Sequence, residues 1–189
     1  QVDLQGLLSL EAFSLRNLLE SRPESLDYEF IYAQEKRRIS ESVELRQSFD
    51  VVFLTDTRGR IMLSTDAEAE GLRVREFPFF VQGQVALSVL PFAYSPVLGE
   101  GALSVAMPLE DGDGHVIGVL VGQAGMDRVR RMVEERAGLG ELVDAYLVDA
   151  NYRPLASTQS ELLEYTIRSE GIRRILSTKE TTQGIFTNH

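Results

Sequence analysis

Two histidines, His115 and His189, and the run Glu110, Asp111, Gly112, Asp113 are the side chains best suited to proton transfer or metal binding. Neither histidine has a second ligand at a metal-site spacing. The three carboxylates lack the ordered alternation of an EF-hand loop, so the run reads as a solvated turn and no metal is expected. The loop with Asp66, Glu68 and Glu70 reads the same way. No GxSxG elbow, GxxxxGK phosphate loop or HExxH helix occurs. GLGELVD, residues 138–144, does not follow a strand into a helix as a dinucleotide fingerprint requires. Cysteine is absent, which excludes disulfides, thiolate metal sites and a cysteine nucleophile and leaves the compartment open. What remains is binding: no catalytic residue and no cofactor are expected.

Charge narrows the partners. With 19 basic against 29 acidic side chains the formal charge is −10, which repels nucleic acid and anionic membrane surfaces unless a basic patch is hidden in the average. The densest basic cluster along the chain is only Lys36, Arg37 and Arg38, so nucleic acid is not an expected partner. At 189 residues, 43% of them hydrophobic, the chain can bury one large core or two ordinary ones. No apolar run reaches the roughly 18 residues of a membrane span. The start, QVDLQGLL, has neither an initiator Met nor the pattern of a signal peptide, as expected of a piece of a longer protein.

The elements that must position a binding site are legible from periodicity. Leu4, Leu7, Leu8, Ala12, Leu15, Leu18 and Leu19 recur at helical steps. SRPESLD, residues 21–27, breaks that helix, and a second begins near Asp27 with Tyr28, Ile31, Tyr32, Ile39 and Val43 on one face. From Asp50 the pattern turns to strands: DVVFLTD, a DTRG turn and RIMLST predict a β-hairpin. An acidic loop and REFPFF follow, then strands at 102–109 and 115–123 around EDGDG, where Gly112 and Gly114 suit a sharp reversal. MDRVRRMVEE is a helix with Met126, Val129, Met132 and Val133 on one side. This order predicts an α+β fold with an antiparallel sheet.

One phrase recurs. Shifting FLTDTRGRIMLST, residues 53–65, by 93 positions lays Leu54 on Leu147, Asp56 on Asp149, Arg60 on Arg153, Ser64 on Ser157 and Thr65 on Thr158. This predicts a repeated module whose second copy starts near Gly140. Gly59 falls on Tyr152 and Ile61 on Pro154, so the second turn is expected to differ in detail. The expected organisation is an N-terminal helical segment at 1–48, a first module at 49–137, and a small or incomplete second module at 138–189. The last includes a helical stretch with Leu162, Leu163, Ile167, Ile172 and Ile175, and GIFTNH as the start of a strand.

Long helices leading into VVFLTDTRGRIMLST, then EGLRVREFPFF, ALSVAMPLEDGDGHVIGVLVGQ and GLGELVDAYLVDANYRPLAS, carry a resemblance over essentially the whole chain. In order and spacing the sequence resembles the double Cache sensor domains, the PAS-like extracytoplasmic halves of bacterial histidine kinases, chemoreceptors and cyclic-dinucleotide enzymes. The resemblance implies a long N-terminal helix and two PAS-like modules. It also implies a periplasmic or extracellular location, membrane anchoring through flanking segments, a homodimer in the intact receptor, and a small-molecule site in the membrane-distal module. Enzymatic activity, if any, would belong to a kinase or cyclase output domain elsewhere in the parent protein.

Carried over residue by residue, Phe77 stands where amino-acid-binding members have an arginine, Phe79 and Phe80 at their aromatic pair, and Gln123 where they have an aspartate. Phenylalanine and glutamine cannot pair the two charges of a zwitterion. The resemblance therefore implies a small organic anion rather than a free amino acid, with Arg75 or Arg73 taking the arginine's role. Tyr94, in the expected loop FAYSP, either roofs the pocket or packs. Two other readings stay open at this point: a cytoplasmic PAS-like regulatory or dimerisation module, and a hydrolase without a recognised motif.

Overall fold

The computed structural model describes residues 15–21, 25–136, 146–148, 152, 154–157 and 169–178. The chain divides into two compact units, Gln1–Gly125 and Met126–His189.

In the first unit, residues 15–20 are helical and bury Leu15 and Leu18; Leu4, Leu7, Leu8 and Ala12 lie outside the described residues. The long helix α1, Leu26–Arg46, begins where the Ser25 hydroxyl accepts the Tyr28 N–H at 3.2 Å, satisfying a donor that the first helical turn leaves open. It ends at Gln47, whose φ of 51° stops the helix. Ile39 is buried, and Tyr28, Ile31, Tyr32 and Val43 pack with it against Val52, Leu54, Leu63 and Leu120, the face expected from the helical spacing.

Five strands form one antiparallel sheet: β1 Val51–Asp56, β2 Ile61–Ser64, β3 Ser88–Ser95, β4 Glu100–Glu110 and β5 Val116–Gly125, in the order β2-β1-β5-β4-β3. Alternation along β1 turns Val52 and Leu54 toward α1, and Val51 and Phe53 toward a second core with Val74, Phe79, Phe80, Val119 and Val121. That second core is covered by α2, Pro78–Gly83. Pro78 sits in its first turn, where the missing N–H has no intrahelical partner to lose.

FAYSP is not a loop. Residues Ser88–Ser95 form the edge strand β3, and Pro91 within it removes a ladder donor that an outer strand can do without. The pairing of β3 with β4 shifts between Leu90 and Ala93, beside that proline. At its other end the sheet is equally blunt, since β2 has four residues and its Ile61 bonds back to Leu72 and Gly71.

The second unit contains α3, Met126–Arg136, a hairpin of β6, Tyr146–Val148, with β7, Pro154–Ser157, and α4, Glu170–Thr178. Ser169 caps α4, accepting the Ile172 N–H at 3.2 Å. Asp149, Gly140, Leu162, Leu163, Ile167 and GIFTNH lie outside the described residues.

The repeated phrase is a repeated structure. Phe53 pairs with Ser64, Leu54 with Leu63 and Thr55 with Ile61, with an irregularity between Leu54 and Thr55. Tyr146 pairs with Ser157, Leu147 with Ala156 and Val148 with Pro154, with an irregularity between Leu147 and Val148. Every pair, and the irregularity itself, is displaced by the same 93 positions. Contrary to expectation the Gly59 and Tyr152 positions also agree, with φ of 76° and 65°. A tyrosine in that region costs on the order of 1–2 kcal/mol, yet Tyr152 adopts it.

Candidate functional site

The β1–β2 turn is built by one carboxylate. Asp56 Oδ1 accepts the N–H groups of Arg58 at 2.8 Å and Arg60 at 2.9 Å, and Gly59 N–H donates to the Asp56 carbonyl at 3.1 Å. The β4–β5 turn repeats this arrangement. There Asp111 Oδ1 accepts from Asp113 and His115, both at 2.9 Å, and Gly114 takes the left-handed position at φ 84°. The His115 N–H, foremost, holds the Asp111 carboxyl below its ordinary value. The acidic run is thus a turn that spends its carboxylate on its own backbone.

Gly59 brings a second strand of chain against the first. The Val74 N–H donates to the Gly59 carbonyl at 2.7 Å, and Arg60 and Arg73 form an antiparallel bridge. A side chain at Gly59 would meet the Arg75 backbone at 2.8 Å, so only glycine permits the approach. Arg58-Gly59-Arg60 and Arg73-Val74-Arg75 therefore lie side by side. In each, the middle residue is buried and both arginines are exposed. They line a cleft of about 590 Å³ together with Asp56, Glu76 and Phe77.

This is a basic patch that the linear charge pattern does not reveal. Its arginines come from two short segments that only the fold joins, and the sequence signal is the pair RGR and RVR on either side of the hairpin.

The six expected ligand residues do not converge on one pocket. Arg75 and Phe77 line the cleft. Phe79 and Phe80 are 4% and 2% exposed and fill the second core, where Phe79 stacks on Phe77 at 5.6 Å and meets Phe53 edge-on at 5.8 Å. Tyr94 is 63% exposed on β3 and does not line this cleft. Gln123 is fully buried and already satisfied: its Oε1 accepts from the Ser95 hydroxyl at 2.6 Å, and its Nε2 donates to Ser104 Oγ at 2.9 Å. It is not at a strand end, because β5 continues to Gly125. Gln123 pairs with Val51 at one end of β1 while the arginine turn follows Asp56 at the other, about 17 Å away at strand rise.

A polar clamp joins this region to α1. Glu70 accepts from the Tyr32 hydroxyl at 2.7 and 2.6 Å, from Lys36 at 2.8 Å and from the Ser64 N–H at 3.1 Å. Burial pushes the Glu70 carboxyl up, but the bonds from Lys36, Tyr32 and Ser64 outweigh it and hold the group below its ordinary value. The bond to Glu70 raises Lys36, and burial followed by Glu70 raises Tyr32.

No protein-family model matches the sequence, and no curated protein is similar to it at the sequence level. Solved structures are similar in fold. The sensor domain of the Vibrio cholerae histidine kinase DctB superposes with a TM-score of 0.55 at 16% identity, over 86% of this chain and 68% of that one. The sensory domain of the Campylobacter jejuni chemoreceptor Tlp3, with isoleucine bound, gives 0.59 at 15% identity, over 92% and 76%. The fold is that of the Cache sensor domains. The ligand-binding domain of the Pseudomonas aeruginosa chemoreceptor PctC, in complex with GABA, has the Cache fold as well, with a TM-score of 0.55 at 22% identity over 87% and 72% of the two chains. Within this Cache fold the long helix, the first hairpin and strands β4 and β5 follow the order expected from the sequence. The arginine cleft was not among those expectations.

Proposed function

We propose that the chain is the extracytoplasmic sensor domain of a membrane-bound signalling receptor, a histidine kinase, chemoreceptor or cyclic-dinucleotide enzyme. The observation that carries this reading is the fold, which the chain shares with histidine kinase and chemoreceptor sensor domains, some of them with amino acids or GABA bound. Gln123 tied to two serines and Phe77 stacked on Phe79 leave no charge pair for a zwitterion, which favours a small anion over a free amino acid.

The first unit is the membrane-distal, ligand-binding module and the second a smaller proximal copy that acts as a coupling spacer. Ligand binding moves α1 between two arrangements that exist beforehand. The receptor is a homodimer; Phe30 and Leu45, 72% and 85% exposed on α1, are apolar surface that a second helix would cover. Anchoring falls to segments flanking this chain; among the described residues no helix is long and apolar enough to cross a membrane. Any kinase or cyclase activity belongs to an output domain outside it.

The test is a chimera that joins this chain to the transmembrane and output segments of a chemoreceptor or histidine kinase, screened with organic acids, amines and amino acids. Output that changes with one compound and tracks its binding to the isolated chain supports the reading. A folded chimera whose output answers no compound that binds the chain overturns it.

A further inference from the structure

The arginine cleft has a composition at odds with the rest of the molecule. In a chain of net charge −10, four arginines line one hollow, and among the described residues none of the four is within ion-pair distance of a carboxylate. Three other cations of the first unit are paired: Lys36 with Glu70, Arg37 with Glu41, Arg38 with Glu35. Asp56 and Glu76 also line the hollow, so four arginines face two carboxylates there, and Asp56 Oδ1 is engaged by two backbone N–H groups. Converging like charges repel one another, and an anion between them removes that cost. Guanidinium is also the side-chain group whose fork matches carboxylate and phosphate oxygens two at a time.

We propose that the cleft between the β1–β2 turn and residues 73–77 binds a soluble oxyanion bearing at least two negative charges, a phosphate, pyrophosphate or polycarboxylate. Arg60 and Arg73, held adjacent by their backbone bridge, grip one anionic group. Arg58 and Arg75, two residues further out on each segment, take the second, and Phe77 offers an apolar wall for the part between. The site is distinct from the aromatic core and from Gln123. This deepens the sensor reading, and rests on it only for its consequence in signalling. Arg73 lies three residues beyond Glu70, whose carboxylate is fastened to Tyr32 and Lys36 of α1, so an anion drawing residues 73–75 toward the turn pulls on the helix.

The experiment titrates the purified 189-residue chain by calorimetry and thermal shift with inorganic phosphate, pyrophosphate, citrate, succinate, acetate and uncharged glycerol. The expected result is binding of one or more of the multiply charged anions, with acetate at least about tenfold weaker and glycerol inert. Arg60→Gln and Arg73→Gln should each weaken that binding by about tenfold or more. Arg73→Lys, which keeps the charge but not the fork, should fall between. Arg37→Gln, remote from the cleft, should leave binding unchanged. Equal binding of acetate and citrate, equal loss in Arg37→Gln, or binding only to phosphatidylglycerol vesicles overturns the proposal. If the intact receptor answers another ligand undiminished with all four arginines changed to glutamine, the cleft is removed from signalling while the sensor reading stands.

Discussion

The Tyr32 hydroxyl is shared between both oxygens of Glu70, at 2.7 and 2.6 Å, and so fastens the middle of the long helix to the loop that follows β2. The bond spans 38 residues of sequence and has Lys36 and the Ser64 N–H as co-donors on the same carboxylate.

Glu70→Gln should lower stability by about 1–3 kcal/mol near neutral pH, because hydrogen bonds to a charged, half-buried acceptor are weakened or lost. The folded pKa of Glu70 lies below its unfolded one. Its contribution is therefore complete above the ordinary value of 4.5 and is lost as pH falls through the depressed folded value. Urea melts of the wild type and Glu70→Gln should differ at neutral pH and converge on acidification below about pH 4.5. A constant gap down to about pH 3 would show that the carboxylate charge is not what holds the clamp.

Gly59→Ala should cost more than a helix or surface glycine would. The residue combines a φ of 76° with a Cβ position 2.8 Å from the Arg75 backbone. A loss of about 2–4 kcal/mol in a denaturant melt is expected, together with weaker protection of the Val74 amide in hydrogen exchange. A loss under about 0.5 kcal/mol would mean that residues 73–75 are not pressed onto the turn.

Gln123 separates a structural glutamine from a ligand contact. Gln123→Leu leaves the Ser95 and Ser104 hydroxyls without their partner and should cost about 1–3 kcal/mol. Gln123→Asp should cost at least as much, since it buries a carboxylate in a fully enclosed row, and should not create amino-acid binding in calorimetry. Tight amino-acid binding by Gln123→Asp would show that the space beside β5 opens more readily than its packing implies.

Phe79→Ala and Tyr94→Ala should part company. The first empties the second core and is expected to cost about 3–5 kcal/mol. The second removes a ring 63% exposed on an edge strand and should change stability by no more than about 0.5 kcal/mol. Equal effects in thermal melts would contradict the two positions found for these rings.

Without an anion, Arg73→Gln should be at least as stable as the wild type, because it relieves repulsion among four arginines that have no ion pair among the described residues. Added sodium chloride should narrow any difference by screening. A clear loss of melting temperature at low salt would mean that Arg73 has an attractive partner in the folded chain.

What the sequence made legible was whatever rests on local periodicity. The α1 face, the first hairpin, strands β4 and β5, and the 93-residue repeat depend on neighbours three, four or two positions apart and on turn residues, and these are written in order along the chain. Strand β3 was hidden because Pro91 argues against a strand unless the strand is known to lie at an edge, which is a property of the whole sheet. The ligand residues suffered similarly. Phe79 and Gln123 read equally well as pocket or as core, and only the packing of α2 and the two serine partners decides between them. The arginine cleft needs Arg60 and Arg73 to become neighbours, and a separation of thirteen positions conceals that.

The two blunt borders of the sheet carry a last consequence. On one side Pro91 withholds a donor and the ladder slips beside it; on the other, short β2 is occupied by its own return loop. Neither border offers a stranger the long, flat row of free amides on which fibrils are seeded. Copies of the domain would therefore meet through other surfaces, such as the exposed Phe30 and Leu45 of α1, and not by extending the sheet.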